Sequence, residues 1–182
     1  MAFEDVLWPQ GQDNMSGLIG PIYWVPSEDV DLTTPPTLAA DGVTVSGDIA
    51  LAANKKFFTI YQTRGTAKLD NNMVGERDGK SFENMVEFKY PGDTASLISF
   101  MNQAKNTPMV VIVRDAQGQH RLLGLSLVGG AISKDLEAYF ESVAGTTGAA
   151  ASDAKGHTIG VKAEANHPAL IYTGTIDLDD QA

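Results

Sequence analysis

The chain has 182 residues, no cysteine, 43% apolar residues and a formal charge of -10. That length suits one domain, and the missing cysteine excludes thiol catalysis, thiolate metal sites and disulfides. No apolar run reaches the roughly 18 residues of a membrane-spanning helix, no secretory signal is expected, and the acidic balance argues against binding nucleic acid by neutralising phosphates.

Residues 1 to 40 read as an extended, acidic, proline-rich arm. Pro9, Pro21, Pro26, Pro35 and Pro36 forbid a helix of any length and leave room for one edge strand. The eight carboxylates before Lys55 (Glu4, Asp5, Asp13, Glu28, Asp29, Asp31, Asp41 and Asp48) stand without a base. Trp8, Ile19, Ile22, Tyr23, Trp24 and Val25 are too apolar for a tail that touches nothing, so the stretch from Ile19 to Val25 is expected to need cover.

From residue 41 to 182 the pattern is that of one β-rich domain. Val43, Val45, Ile49 and Leu51 alternate with polar residues, and Lys55 to Arg64 is rich in aromatic and β-branched residues. Both predict strands. Thr66 to Glu76 and Ser81 to Tyr90 flank Arg77-Asp78-Gly79-Lys80, a strong hairpin signal. Phe82, Val86, Phe88 and Tyr90 fall on one face of the second arm, with Glu83, Met85, Glu87 and Lys89 on the other. Asp93 is the expected cap of a helix over about 94–105, with Leu97, Ile98, Met101 and Ala104 at helical spacing. Met109 to Arg114 and His120 to Leu127 make a second hairpin. Residues 132–144 fit helix or strand by periodicity, and the hairpin-like sequence that follows favours strand. Gly145 to Gly156 is a tip of small residues, His157 to Ala165 alternates, and a last strand covers roughly 169 to 178. The sum is a mainly β (α+β) fold, an antiparallel β-sandwich or barrel with long hairpins and one flanking helix.

No catalytic pattern emerges. His120, His157 and His167 form no metal-ligand spacing. The glycines from Gly124 to Gly130 lack the Lys-Ser/Thr of a phosphate loop. The C-terminal carboxylates Asp177, Asp179 and Asp180 read as a solvated end rather than a cation site. The expectation is a protein that is not an enzyme and holds no cofactor or metal.

Four segments carry a resemblance to a known family: Lys56-Phe-Phe-Thr-Ile-Tyr61, the hairpin from Gly75 to Gly92, the helix from Thr94, and Ser152 through His167-Pro-Ala-Leu-Ile-Tyr-Thr-Gly-Thr-Ile176. Together they span roughly residues 43 to 178. They resemble the major tail tube proteins of tailed bacteriophages, which share their β-sandwich with the tubes of contractile injection systems. The resemblance implies rings of six subunits, stacked into a tube, with strands of all subunits joined around a lumen. It also implies a virion tail protein, assembled in the host cytoplasm. Its partners would be further copies of itself, tape measure and terminator proteins, and viral DNA passing through without sequence-specific contact.

On that basis Glu83, Glu87, Glu137, Glu141 and Glu164, which alternate with core-facing neighbours, are the candidate lumen residues. Six copies at -10 each give a ring of about -60, which favours passage of DNA over adhesion. Candidate contacts between subunits are Ile19, Ile22, Tyr23 and Trp24 in the arm, Arg77, Asp78 and Lys80 in the hairpin turn, and Thr146 and Lys155 around the small-residue tip. Competing expectations are another virion protein, such as a capsid decoration or tail terminator protein, or a ligand-binding β domain.

Overall fold

Residues 109–113, Met-Val-Val-Ile-Val, are apolar without alternation, and a strand of that kind must be covered on both faces. The computed structural model, which describes residues 5–8, 10–150 and 152–178, places them in the middle of the molecule. In chain order the elements are β1 (Leu18–Pro26), a 3-10 turn (Ser27–Asp29), β2 (Thr37–Leu38), β3 (Thr44–Ser46), β4 (Phe58–Ile60), β5 (Lys68–Val74), β6 (Ser81–Pro91), α1 (Ala95–Ala104), β7 (Met109–Asp115), β8 (His120–Leu123), β9 (Ser126–Val128), β10 (Ala131–Ser133), β11 (Ala138–Thr146), β12 (Gly156–Ala165) and β13 (Leu170–Tyr172). Met109, Val111 and Val113 of β7 face one core with Val86, Phe88, Leu97, Ile159 and Val161. Val110 and Ile112 face a second with Val25, Val45, Phe57, Leu122, Leu170 and Tyr172.

The fold is mainly β with one helix, as the composition of its segments implies. Its main sheet has 11 strands and runs β2-β3-β13-β8-β7-β11-β12-β6-β5, with β1 and β4 branching from β7, while β9 and β10 form a separate hairpin. The sheet is open rather than a closed barrel, and it is mixed, because β13 pairs with β3 in parallel. β7 and β11 meet through one residue pair, Ala138 and Met109. On the far side of that joint lies a four-stranded antiparallel layer, β11-β12-β6-β5, that packs its apolar face on the first core.

The arm departs most from the sequence reading. Its apolar stretch is β1, paired with β7 on one side and with β4 on the other. Leu18, Ile22 and Val25 are buried in the chain's own cores. Pro21 and Pro26 lie in a strand that is interior to the sheet, and the pairing with β7 shifts register between Ile19 and Tyr23, the span that contains Pro21. The cover that the sequence called for is therefore supplied within the chain.

Three smaller differences have local causes. The helix is capped by Thr94, whose hydroxyl accepts from the Leu97 N–H, rather than by Asp93. Its buried stripe is Leu97 and Ala104 with Phe100 and Met101 packed beside them, and Ile98 is exposed. The β5–β6 turn occupies residues 75–80, since Val74 and Ser81 are the last pair, and Asp78 takes a positive φ of 68° there. Residues 132–144 are strand where they are regular, in β10 and β11.

Candidate functional site

The outward face of the β11-β12-β6-β5 layer gathers most of the polar side chains that the sequence singled out. Its composition follows from strand alternation: Ile159, Val161, Ala163, Val86 and Phe88 turn inward, which sends Lys162, Glu164, Glu83 and Glu87 out. Cross-strand pairing then sets their neighbours. Glu83 lies opposite both Glu164 and Asn72, and Glu87 lies opposite Lys68. Tyr139 of β11 lies opposite Lys162, and a register shift between Phe140 and Ser142 puts Glu141 at a bulge beside it.

Lys162 is the hub of this face. Its Nζ stands 3.7 Å from Glu83, 3.8 Å from Glu141 and 3.8 Å from Glu164. Three carboxylates from three strands therefore share one ammonium, which is only 24% exposed. Glu137 accepts a hydrogen bond of 3.2 Å from the Tyr139 hydroxyl, and burial of that phenol, followed by this bond, raises its pKa. At the other margin Lys68 pairs with Asp70 at 2.8 Å, and that hydrogen bond with the charges of Asp70 and Glu87 raises its pKa. The sequence alternation located all five glutamates on this face but missed Lys162 as the common counter-charge of three of them, Glu83, Glu141 and Glu164. The signal was its position two residues before Glu164 and opposite the glutamate-bearing arm.

Removing the hub has a defined cost. Lys162→Met is expected to lower stability by about 1–2 kcal/mol at pH 7, because three partly exposed carboxylates then repel one another. The deficit shrinks in high salt, which screens the three carboxylates from one another. Chemical denaturation of both proteins at low and high salt checks this, and a deficit independent of salt would show that Lys162 acts through packing of its stem alone.

This layer also has two unpaired edges. Among the described residues β5 pairs only with β6. β11 pairs with β12 along its length, but its other side touches β7 only at Ala138, so residues 139–146 have no strand partner on that side among the described residues. On the core-side parity of each edge stands an exposed apolar residue, Met73 on β5 at 62% and Val143 on β11 at 43%. Neither edge carries the proline that commonly blocks strand addition, although Lys68 marks one end of β5.

The remaining candidates divide in two. Arg77, Asp78 and Lys80 are exposed in the β5–β6 turn, and Thr146 and Lys155 are exposed at the two ends of the β11–β12 tip. Ile22, by contrast, is 2% exposed. Trp24 packs on Phe58 and Phe100 with ring centroids 5.1 and 4.8 Å away, Tyr23 meets His120 edge-on, and Ile19 is half-buried in β1. Ile22 is thus removed from the contact surface, and Tyr23 and Trp24 are largely engaged within the chain.

The three histidines sit apart and each has a local role. His157 meets Asp93 at 3.3 Å, the His167 ring accepts from the Leu127 N–H at 3.2 Å, and His120 stands in β8 against Tyr23. Among the described residues no group of three or more His, Asp or Glu is placed to hold a metal ion, and Asp179 and Asp180 lie outside the described residues. Burial, followed by the charge of Arg114, lowers the pKa of His120, against a smaller opposing pull from Asp115. Its folded value therefore lies below its unfolded value, the unfolded chain binds the proton more readily, and stability falls as pH drops from about 6.5 toward the folded value. The stability difference between the wild type and His120→Gln is expected to change over that window and to be flat above pH 7.5. Denaturation midpoints at a series of pH values measure it.

No family model, curated protein or solved structure matches the chain.

Proposed function

We propose that this protein is a structural subunit of a phage-type tail tube, which assembles into rings, six subunits to each, stacked around a lumen that conducts DNA. The observation that carries the reading is the four-stranded layer with one outward polar face and two unpaired edges. Opposite edges of one layer suit a heterologous contact, in which β5 of one subunit meets β11 of the next, and a heterologous contact that closes makes a ring. Closure would satisfy every free backbone group along both edges, the usual answer to exposed strand edges.

The charge of the layer agrees with a conduit for DNA. Asp70, Glu83, Glu87, Glu137, Glu141 and Glu164 outnumber Lys68, Lys89 and Lys162 on the outward side. A lumen lined this way repels a polyanion weakly and gives it no basic patch to bind. The partners of such a subunit are further copies of itself, tape measure and terminator proteins and the passing viral DNA, in a virion tail assembled in the host cytoplasm. The role requires no catalysis and no cofactor.

Electron microscopy of the purified protein tests the reading. Six-fold rings or tubes are the expected result, and a chain that stays monomeric or trimeric at high concentration would point instead to a decoration or terminator role.

A further inference from the structure

The β9–β10 hairpin stands outside the main sheet, and among the described residues its strands pair only with each other. Its two-residue turn, Gly129-Gly130, closes on Val128 and Ala131, so the next pair, Leu127 with Ile132, turns its N–H and C=O groups outward. On the β9 side those groups are nonetheless bound. The Leu127 N–H donates to His167 Nε2 at 3.2 Å, and the Asn166 side chain donates to the Leu127 carbonyl at 2.7 Å. Two side chains from the β12–β13 connection thus take the place of a neighbouring strand.

The same connection is tied to the four-stranded layer. The Asn84 side chain of β6 donates to the His167 carbonyl at 3.1 Å, and the Asn71 side chain of β5 accepts from the Ala169 N–H at 2.9 Å. Residues 166–169 therefore clasp the hairpin to the layer, and the partners of His167 fix the state of its ring. The Pro168 carbonyl can only accept, so Nδ1, 2.8 Å from it, carries the proton. A backbone N–H can only donate, so Nε2 is bare. Only the neutral Nδ1–H tautomer makes both bonds; the imidazolium turns an N–H against the Leu127 N–H. The ring is half-buried, so solvent protons reach it. Few charges surround it. β5 and β6 present the neutral Asn71 and Asn84, and residues 126–133 of the hairpin include no titratable side chain. Pro168 borders a cleft shared with Lys68, Asp115 and Arg121, and Glu164 on β12, opposite Glu83, is engaged with Lys162. Of the three histidines only His157 forms an ion pair among the described residues.

We propose that His167 is a pH-sensitive latch on the β9–β10 hairpin: the neutral ring holds the Leu127 peptide, and protonation in mild acid frees it and loosens the hairpin from the β12–β13 connection. The closed clasp takes only the neutral ring and the open clasp takes either form, so proton uptake favours opening. Leu125 and Ile132 remain anchored in the second core, so the change is local. The latch needs no second subunit and stands apart from the ring contact proposed above.

Nitrogen-15 spectra and amide hydrogen exchange of the wild-type protein test it. At about pH 7.5 the His167 ring is expected as the Nδ1–H tautomer, with the Leu127 amide protected from exchange. At about pH 5 the protection of Leu127, corrected for the intrinsic exchange rate, is expected to fall roughly tenfold or more, while the amides of β12 keep theirs. Acid also acts on His120 and His157, and His167→Gln separates them: its side-chain carbonyl can accept from the same N–H but does not titrate. Leu127 protection in that variant should be equal at the two pH values, whereas His120→Gln should retain the wild-type fall. Three outcomes overturn the proposal: an Nε2–H tautomer at the higher pH, wild-type Leu127 protection that is equal at both, or a fall that survives in His167→Gln.

Discussion

Gly124→Ala is expected to destabilise this protein by several kcal/mol, about 2–5. Gly124 is buried between β8 and β9 and adopts a φ of +85°. A Cβ there would lie 2.2 Å from the Met109 carbonyl oxygen, 3.1 Å from the Val110 Cα and 3.2 Å from the Ala138 nitrogen. All three are backbone atoms, so no flexible side chain can yield. Two of them belong to the one residue pair, Met109 with Ala138, that joins β7 to β11. The left-handed backbone costs a non-glycine residue about 1–2 kcal/mol, and forcing a methyl into a filled interior costs about 1–3 kcal/mol more. A total of about 2–5 kcal/mol is a large share of the roughly 5–15 kcal/mol that holds a domain folded. In a thermal melt the midpoint should fall by roughly 5–20 °C. Gly129→Ala is the control: its φ is +61° but no atom lies within 4 Å of the added methyl, so only the backbone cost of about 1 kcal/mol applies. Equal melting of the two variants would mean that the β7–β11 joint tolerates displacement.

Sequence alternation read the four-stranded layer almost whole. β6 and β12 alternate strictly, with Val86, Phe88, Ile159, Val161 and Ala163 inside, and a period of two in a half-buried strand leaves only one choice of face. The glutamates Glu83, Glu87 and Glu164 were therefore placed by their neighbours. The arm resisted for the opposite reason. β1 has buried residues at Leu18, Ile22 and Val25, a spacing of four and then three that matches a helix better than the period of two of a strand, because the pairing with β7 shifts register around Pro21. Prolines argued for an edge, but β4 and β7 both pair with this strand, and its inclusion depends on contacts with residues 58–60 and 109–115 that no local pattern reveals. The open edges were equally hidden. Whether β11 continues along β7 or parts from it after Ala138 is a matter of tertiary geometry, and residues 139–146 alternate no differently in either case. Ile98 shows the limit of helical spacing: with Leu97 it satisfies the stripe on paper, yet Phe100, edge-on to Trp24 and Phe140, takes the inner position.

Met73→Lys or Val143→Lys, each alone, is expected to abolish assembly while leaving the subunit folded. The two residues are 62% and 43% exposed on the unpaired edges of β5 and β11. Surface changes of this kind alter stability by about 0.5 kcal/mol or less, so the melting midpoint should move by no more than roughly 2 °C. At a seam between strands the same lysine would be desolvated against backbone and apolar neighbours, a cost of several kcal/mol that each subunit contact in the ring would bear. Either substitution should therefore weaken assembly by well over tenfold in sedimentation or light scattering. The mixture of the two variants is the sharper measurement. Met73→Lys retains a native β11 edge and Val143→Lys retains a native β5 edge. One native contact can form between them, and the outer edge of each is then blocked. A heterologous β5-to-β11 contact thus predicts heterodimers from the mixture and monomers from each variant alone. An isologous contact, β5 on β5 or β11 on β11, predicts homodimers of one variant instead. Rings or tubes that persist in either single variant would remove these edges from the assembly, and the polar face between them would then have no claim to line a lumen.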